Sequence, residues 1–312
     1  MKSLAVIGAL AALLAAGHAV GTSKAAFTAH DEFTASVSTA ADWVAPSVTL
    51  TAPADGSSTK STSVTLSGAA GNASGDSSTV TLEVYSGSSA TGTPVLTRSV
   101  TRSAATWSTT VTTLGQGTYT ARATQADGAG NTGTSGTRTF TIDTTAPTPV
   151  SIAAENGDGT SGHLDAGDTI TFTYSERMLA SSILSGWSGT SAATVKVRFF
   201  SGTRDAFTVL DSSSGANLKL DAGTTAGGGV SLGSGVNFVS GTVTFSATLT
   251  QSDDGESFIV TLGSPDYSFR VASTRAGAAN MTWTPKAGST DLAANALAST
   301  ATWTETDYDR DF

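Results

Sequence analysis

The sequence predicts an all-β protein made of two tandem sandwiches, the second enlarged, and three observations carry that prediction. Apolar residues recur at every second position in short runs. Clusters of Gly, Asn, Asp and Pro separate those runs at sandwich spacing. Strong helix formers are sparse, while serine and threonine supply about a third of the chain. The 312 residues suit two domains, each large enough to bury its own core.

The clearest stretch is residues 117–147. In its first run Tyr119, Ala121 and Ala123 share one face, with Thr120, Arg122 and Thr124 on the other. In its second run Phe140 and Ile142 lie opposite Thr139, Thr141 and Asp143. Residues 127–136 between them supply the left-handed and tight-turn positions of a long hairpin. A proline exit then hands the chain to a second block. The stretch reads as the last two strands of one sandwich plus the hinge to the next.

Residues 1–25 have the layout of an export signal: Lys2, an apolar run over 4–16 too short to span a bilayer, then small residues. Cleavage after Ala19 or Ala25 fits. The segment GTSKAAFTAHDEF resembles the signal junction of camelysin and TasA-type biofilm-matrix proteins, which implies a secreted or surface-associated product. Residues 26–46 form a lead-in carrying Phe27, Phe33 and Trp43. With 16 basic against 25 acidic side chains, net charge is -9, which argues against a nucleic-acid partner. The chain contains no cysteine, so its cores hold without disulfides. No second apolar span follows the leader, so the mature chain is expected outside the cell, free or held non-covalently at the surface.

Residues 47–147 form the first expected module. Its alternating runs include Val48 and Leu50, Val64 and Leu66, Val80 to Val84, Val95 and Leu96, and Trp107 and Val111. About seven strands in roughly a hundred residues is the immunoglobulin-like count. Tyr119 is placed to form a tyrosine corner. DGAGN and FTIDTTAP resemble the D-x-AGN and VDTTAP signatures of repeated bacterial Ig-like domains of secreted and surface proteins. That resemblance implies a non-catalytic spacer or adhesive unit.

Residues 148–312 form the second expected module, an elaborated Ig-like sandwich of about ten strands. DAGDTITFTYSERM resembles another bacterial Ig-like group with a Ser-Glu-Pro-Met pattern, although Arg177 replaces its proline. A helical turn is expected over 179–184, with Glu176 near its start. The Gly-rich residues 224–235 read as a loop. Asp291 to Asn295, DLAAN, echoes the DGAGN of the first module.

Catalytic chemistry is sparse. Beyond the leader only His30 and His163 remain, and there is no HExxH, GxSxG or P-loop. Glu176, at a strand end, is the best single candidate for a glycosidase carboxylate, and Asp253, Asp254 and Glu256 read as a solvated turn. Trp107, Trp283 and Trp303 read as core, leaving Trp43 and Trp187 as candidates for sugar stacking. Calcium is the one cofactor with a physical case. Asp127, Asn131 and Asp143 bracket the hinge on one side, and Asp158, Asp165 and Asp168 follow it on the other. The expected function is therefore that of a non-enzymatic structural or adhesive protein meeting an extracellular protein, a polysaccharide or further copies of itself. The alternative is a carbohydrate-binding or hydrolytic second module.

Overall fold

The computed structural model describes residues 43–157, 159–202, 205–223, 229–232, 239–266 and 280–305. The expected leader, His30, Asp158 and the run at Phe269 and Val271 lie outside these residues. Strands dominate, and no helix among the described residues is long and apolar enough to cross a membrane. Two separate clusters of buried apolar side chains form, one within residues 48–142 and one within 152–283.

The first cluster is enclosed by eight strands: β1 (Ser57–Thr59), β2 (Val64–Ala69), β3 (Asp76–Ser86), β4 (Leu96–Thr101), β5 (Thr106–Val111), β6 (Gly117–Asp127), β7 (Thr132–Thr134) and β8 (Arg138–Ile142). One sheet runs β1-β8-β6-β3-β4 with β7 beside β6, and the pair β2-β5 faces it. The period-two pattern decides which side chains point inward. Val80, Leu82 and Val84 of β3, Ala121 and Ala123 of β6, and Phe140 and Ile142 of β8 are all buried. Residues 49–52 first run along β2, with Thr49 N donating to Ala69 O at 3.0 Å. The chain then crosses over and pairs β1 parallel to β8. Gly68 permits that first approach, since a Cβ there would overlap the Thr49 carbonyl. Trp107 locks it, donating Nε1–H to Thr49 O at 3.0 Å and Ala69 O at 3.1 Å. Tyr119 is the expected corner, its hydroxyl donating to Gly115 O at 3.1 Å.

The second cluster is enclosed by β9 (Pro149–Glu155), β10 (Thr169–Tyr174), α1 (Ala180–Ile183), β11 (Ala193–Phe200), β12 (Ala206–Asp211), β13 (Val230–Ser231), β14 (Thr242–Gln251), β15 (Ser257–Pro265), β16 (Thr282–Trp283) and β17 (Trp303–Thr304). The nine strands form one sheet, β17-β16-β13-β12-β11-β14-β15-β10-β9, antiparallel throughout. The sheet folds over so that β17 approaches β9, giving two facing layers continuous along one side. Trp283 of β16 meets Phe172 and Tyr174 of β10 across the interior, with ring centroids 5.3 and 5.4 Å apart. Full burial of each such ring stabilises the fold by about 2 kcal/mol, and a core of this kind stands in for disulfides.

Three details differ from the sequence expectations. The Gly-rich stretch contributes a short strand, β13, because Val230 is fully buried and pairs with Phe207 and Trp283. Trp187 is 8% exposed, packs against Phe258 and donates its indole N–H to Ser191 O at 2.7 Å. It is a core residue rather than a sugar platform. Glu176 does not sit over the helix amides; α1 has no acidic side chain in its first turn and no side-chain cap.

Candidate metal centre at the module joint

The linker between the two cores is bonded to both of them. On the first side Gln116 Nε2 donates to Thr145 Oγ1 at 2.8 Å, and Thr144 Oγ1 donates to Gln116 Oε1 at 2.9 Å. On the second, Thr148 N donates to Ser175 Oγ at 3.0 Å, Ser175 N to Thr148 O at 2.9 Å and Ala298 N to Pro147 O at 2.8 Å. Direct bonds also cross the joint. Lys60 donates its backbone N–H to Ala293 O at 3.2 Å and its ammonium to Ala294 O at 2.9 Å.

The turn that meets Lys60 is the DLAAN echo, and the echo is geometric as well as sequential. In the first module Asn131 donates N–H to Asp127 Oδ1 at 2.8 Å and Nδ2–H to Asp127 Oδ2 at 2.7 Å. In the second, Asn295 donates N–H to Asp291 Oδ1 and Nδ2–H to Asp291 Oδ2, both at 2.8 Å. The fourth position is left-handed in both, Gly130 at φ 94° and Ala294 at φ 66°. Asn295 additionally donates to Asp143 O at 2.8 Å, which ties the second turn to the exit of the first module.

Three carboxylates therefore converge. Among the described residues, the one group of three acidic, His or Cys side chains offering ligand atoms within 4.8 Å of one another is Asp143, Glu176 and Asp291. Asp143 follows β8, Glu176 follows β10, and Asp291 opens the second turn. Two negative charges at that separation repel by about 3 kcal/mol at an effective dielectric near 20. Burial and the charges of Asp143 and Asp291 push the Glu176 carboxyl up to about 7. Its Oε1 is buried and accepts from no donor of the protein, while a side-chain hydrogen bond with Asp143 adds to the rise. A cleft of about 350 Å³ opens beside Asp143 and Glu176, lined also by Gln116, Gly117, Thr141 and Thr145.

The expected calcium ligands are thus only partly brought together. Asp143 is in the group. Asp127 and Asn131 are engaged with each other, and the Asn131 hydrogen bond holds the Asp127 carboxyl below its ordinary range. Asp165 accepts from Thr160 N, while Asp168 accepts from Gly157 N and Asp165 N and shapes the loop before β10. Burial pushes the Asp168 carboxyl up. Glu176 and Asp291 were missing from the expected set, although both had signals: a strand-end carboxylate, and a repeated Asx turn close to the C-terminus.

A pair of acids beside a cleft is also what a retaining glycosidase presents. Here Glu176 Oε1 is withdrawn from solvent, and no aromatic ring lines the cleft. His163, whose N–H donates to Thr160 O, lies in the loop before β10.

Residues 43–144 match the family model described as a bacterial Ig-like domain. The match spans the first core and ends at the joint. No curated protein matches the sequence. Among solved structures, the fibronectin(III)-like modules of Clostridium thermocellum CbhA share 14% identity, with 70% of this chain and 90% of that one covered and a TM-score of 0.26. Dimeric latent PorU from Porphyromonas gingivalis shares 13% identity over 72% of this chain and 20% of that one, with a TM-score of 0.22. At such scores neither likeness bears on function.

Proposed function

We propose that the chain is an exported, non-catalytic structural protein, a spacer or adhesive unit of the cell surface or extracellular matrix. The observation that carries this reading is the joint. The strongest concentration of titratable groups among the described residues lies between the two sandwiches, beside a cleft that no aromatic ring lines. Bacterial Ig-like modules of the kind matched by residues 43–144 are often extracellular, which supports the same reading. A carbohydrate-binding or hydrolytic second module is less well supported, since Trp187 is buried and serves the core.

Fibre formation through free sheet edges, the third possibility, meets two obstacles. The second sheet folds until its outer strands approach each other. On the first module, Arg98 of β4 donates to Thr110 O at 2.8 Å and Thr109 Oγ1 at 3.2 Å and so occupies the edge of β5. Fractionation of expressing cells tests the proposal. The mature chain is expected in the medium or protease-sensitive on intact cells, without turnover of a glycoside, ester or peptide panel. Retention in the cytoplasm, or turnover abolished by Glu176→Gln, contradicts it.

A further inference from the structure

We propose that the outer face of the second module binds a carboxylate-bearing polysaccharide, in the groove that Lys196 and Arg198 of β11 form with β14 and the bulged end of β15. Such a partner extends the adhesive reading above, on which it rests. It needs no aromatic platform, so the burial of Trp187 does not bear on it.

Alternation along β11 turns Val195, Val197 and Phe199 into the core. Lys196, exposed, and Arg198, half-buried, are left on the opposite face, two positions or about 7 Å apart. Their register partners on β14 are Ser246 and Thr244. Beside them the pairing of β14 with β15 slips, so that Phe245 faces Pro265 while Ala247 faces Leu262. Gly263 permits this bulge, since a Cβ there would come within 2.6 Å of Ser246 Oγ. The displaced end of β15 brings up Ser264, Pro265 and Asp266. These three, the two cations and the two β14 hydroxyls line a groove of about 400 Å³.

The charges in the groove point to an anion. Among the described residues, the Lys196 and Arg198 side chains make no ion pair and no hydrogen bond. The other described cations are engaged. The four arginines of the first module, Lys60, Lys219 and Lys286 all donate to protein oxygens, and the Ser252 hydroxyl and Arg177 together hold the Asp254 carboxyl below its ordinary range. Two like charges thus stand side by side without a counter-charge in a chain of net charge -9, and a bound anion would relieve their repulsion. The lining selects the kind of anion. Arg198 offers the planar fork that takes a carboxylate through two hydrogen bonds, with Lys196 as a point charge beside it. Around them stand the hydroxyls of Thr244, Ser246 and Ser264, suited to exchanging hydrogen bonds with sugar hydroxyls. Asp266 gives Oδ1 to Thr244 N at 2.9 Å and keeps Oδ2 to accept from a sugar hydroxyl. Two positive charges and one negative suit a single carboxylate and disfavour a densely sulfated or phosphorylated chain. No aromatic ring lines the groove and its one apolar side chain is Pro265, whereas protein partners usually seat aromatic or aliphatic anchors in a dry pocket.

Calorimetric titration of uronic acid oligomers, prepared from pectate and from alginate, into the full chain tests this. Binding of at least one of them is expected, and reduction of its carboxylates to alcohols should weaken it at least about tenfold. Arg198→Gln and Lys196→Gln should each have an effect of similar size. Lys219→Gln removes a cation of the same module that donates to Gly288 O, and should leave binding unchanged. Lys196 is exposed, so its variant carries the test should Arg198→Gln fold poorly. Absence of binding heat from both oligomers up to about 10 mM, equal binding of the reduced sugars, or equal weakening by Lys219→Gln overturns the assignment. Polyglutamate or dextran sulfate bound as tightly as the oligomers overturns the choice of partner. Export to the surface without binding would overturn this site alone, and binding by a chain retained in the cytoplasm would overturn the proposed location alone.

Discussion

Replacing Glu176 by Gln in calcium-free, EDTA-containing buffer isolates the electrostatics of the joint. The Glu176 carboxyl rises from an ordinary value near 4.5 to about 7 because burial and two neighbouring carboxylates disfavour its charged form. A folded-state value above the unfolded one means that the folded protein holds the proton more tightly. The resulting stabilisation is complete below about pH 4.5 and is lost as pH rises through about 7. Each pH unit between the two values is worth at most about 1.4 kcal/mol. The side chain keeps part of its exposure, so solvent screening reduces the total to about 1 to 2 kcal/mol. For a module of this size that corresponds to a decrease of about 2 to 8 °C in melting temperature between pH 4.5 and pH 8. Calorimetric melts across that range should show the decrease in the unaltered chain and a shallower profile in Glu176→Gln. At pH 8 the variant should melt higher. Identical pH profiles, or a variant that melts lower at pH 8 without calcium, would refute the idea that the charge of Glu176 beside Asp143 and Asp291 strains the joint.

Other substitutions probe the rest of the fold. Gly68→Ala forces a methyl group against the Thr49 backbone and should cost the first module about 2 kcal/mol or more, read as a drop in its melting transition with the second transition unmoved. Ala294→Gly relieves a left-handed alanine in the joint turn and should stabilise the chain by about 1 kcal/mol by denaturant unfolding, whereas the same measurement on Gly130→Ala should show a loss of similar size. Arg98→Glu frees the β5 edge carbonyl that Arg98 occupies, and should produce concentration-dependent association by sedimentation velocity where the unaltered chain shows none.

Much of the architecture was legible because the alternation of side chains is a one-dimensional signal. Phe172 and Tyr174, or Val195, Val197 and Phe199, declare their strands and their inward faces before any partner is known. The tyrosine corner at Tyr119 and the repeated Asp-to-Asn turn were legible for the same reason, since each is closed by bonds within four residues. Trp187 and Val230 were not. Their burial depends on Phe258 and Trp283, which lie more than fifty residues away in sequence. The carboxylate group at the joint lies at the same level of difficulty. Asp143 could be suspected from its place at the hinge, but its companions are 33 and 148 positions further along, as the numbers of Glu176 and Asp291 show. Only the folding-over of the second sheet brings the three side by side. The turn acids Asp127, Asp165 and Asp168 looked equally suitable in sequence because Asp and Asn also serve as turn formers, accepting local backbone N–H groups with no ion needed.

Linked domains usually move relative to each other unless their interface is extensive. This chain instead relies on hydrogen bonds from Lys60, Gln116, Asn295 and Ala298 to hold a short linker in place. Because the chain has no cysteine, spin labels can be attached at Thr91→Cys and Ser213→Cys, both exposed, one on each module. Pulsed dipolar spectroscopy between them should give one narrow distance distribution that broadens in Asn295→Ala. A broad distribution in the otherwise unaltered chain, indifferent to Asn295, would show that the two sandwiches swing freely and that the joint has no orienting role.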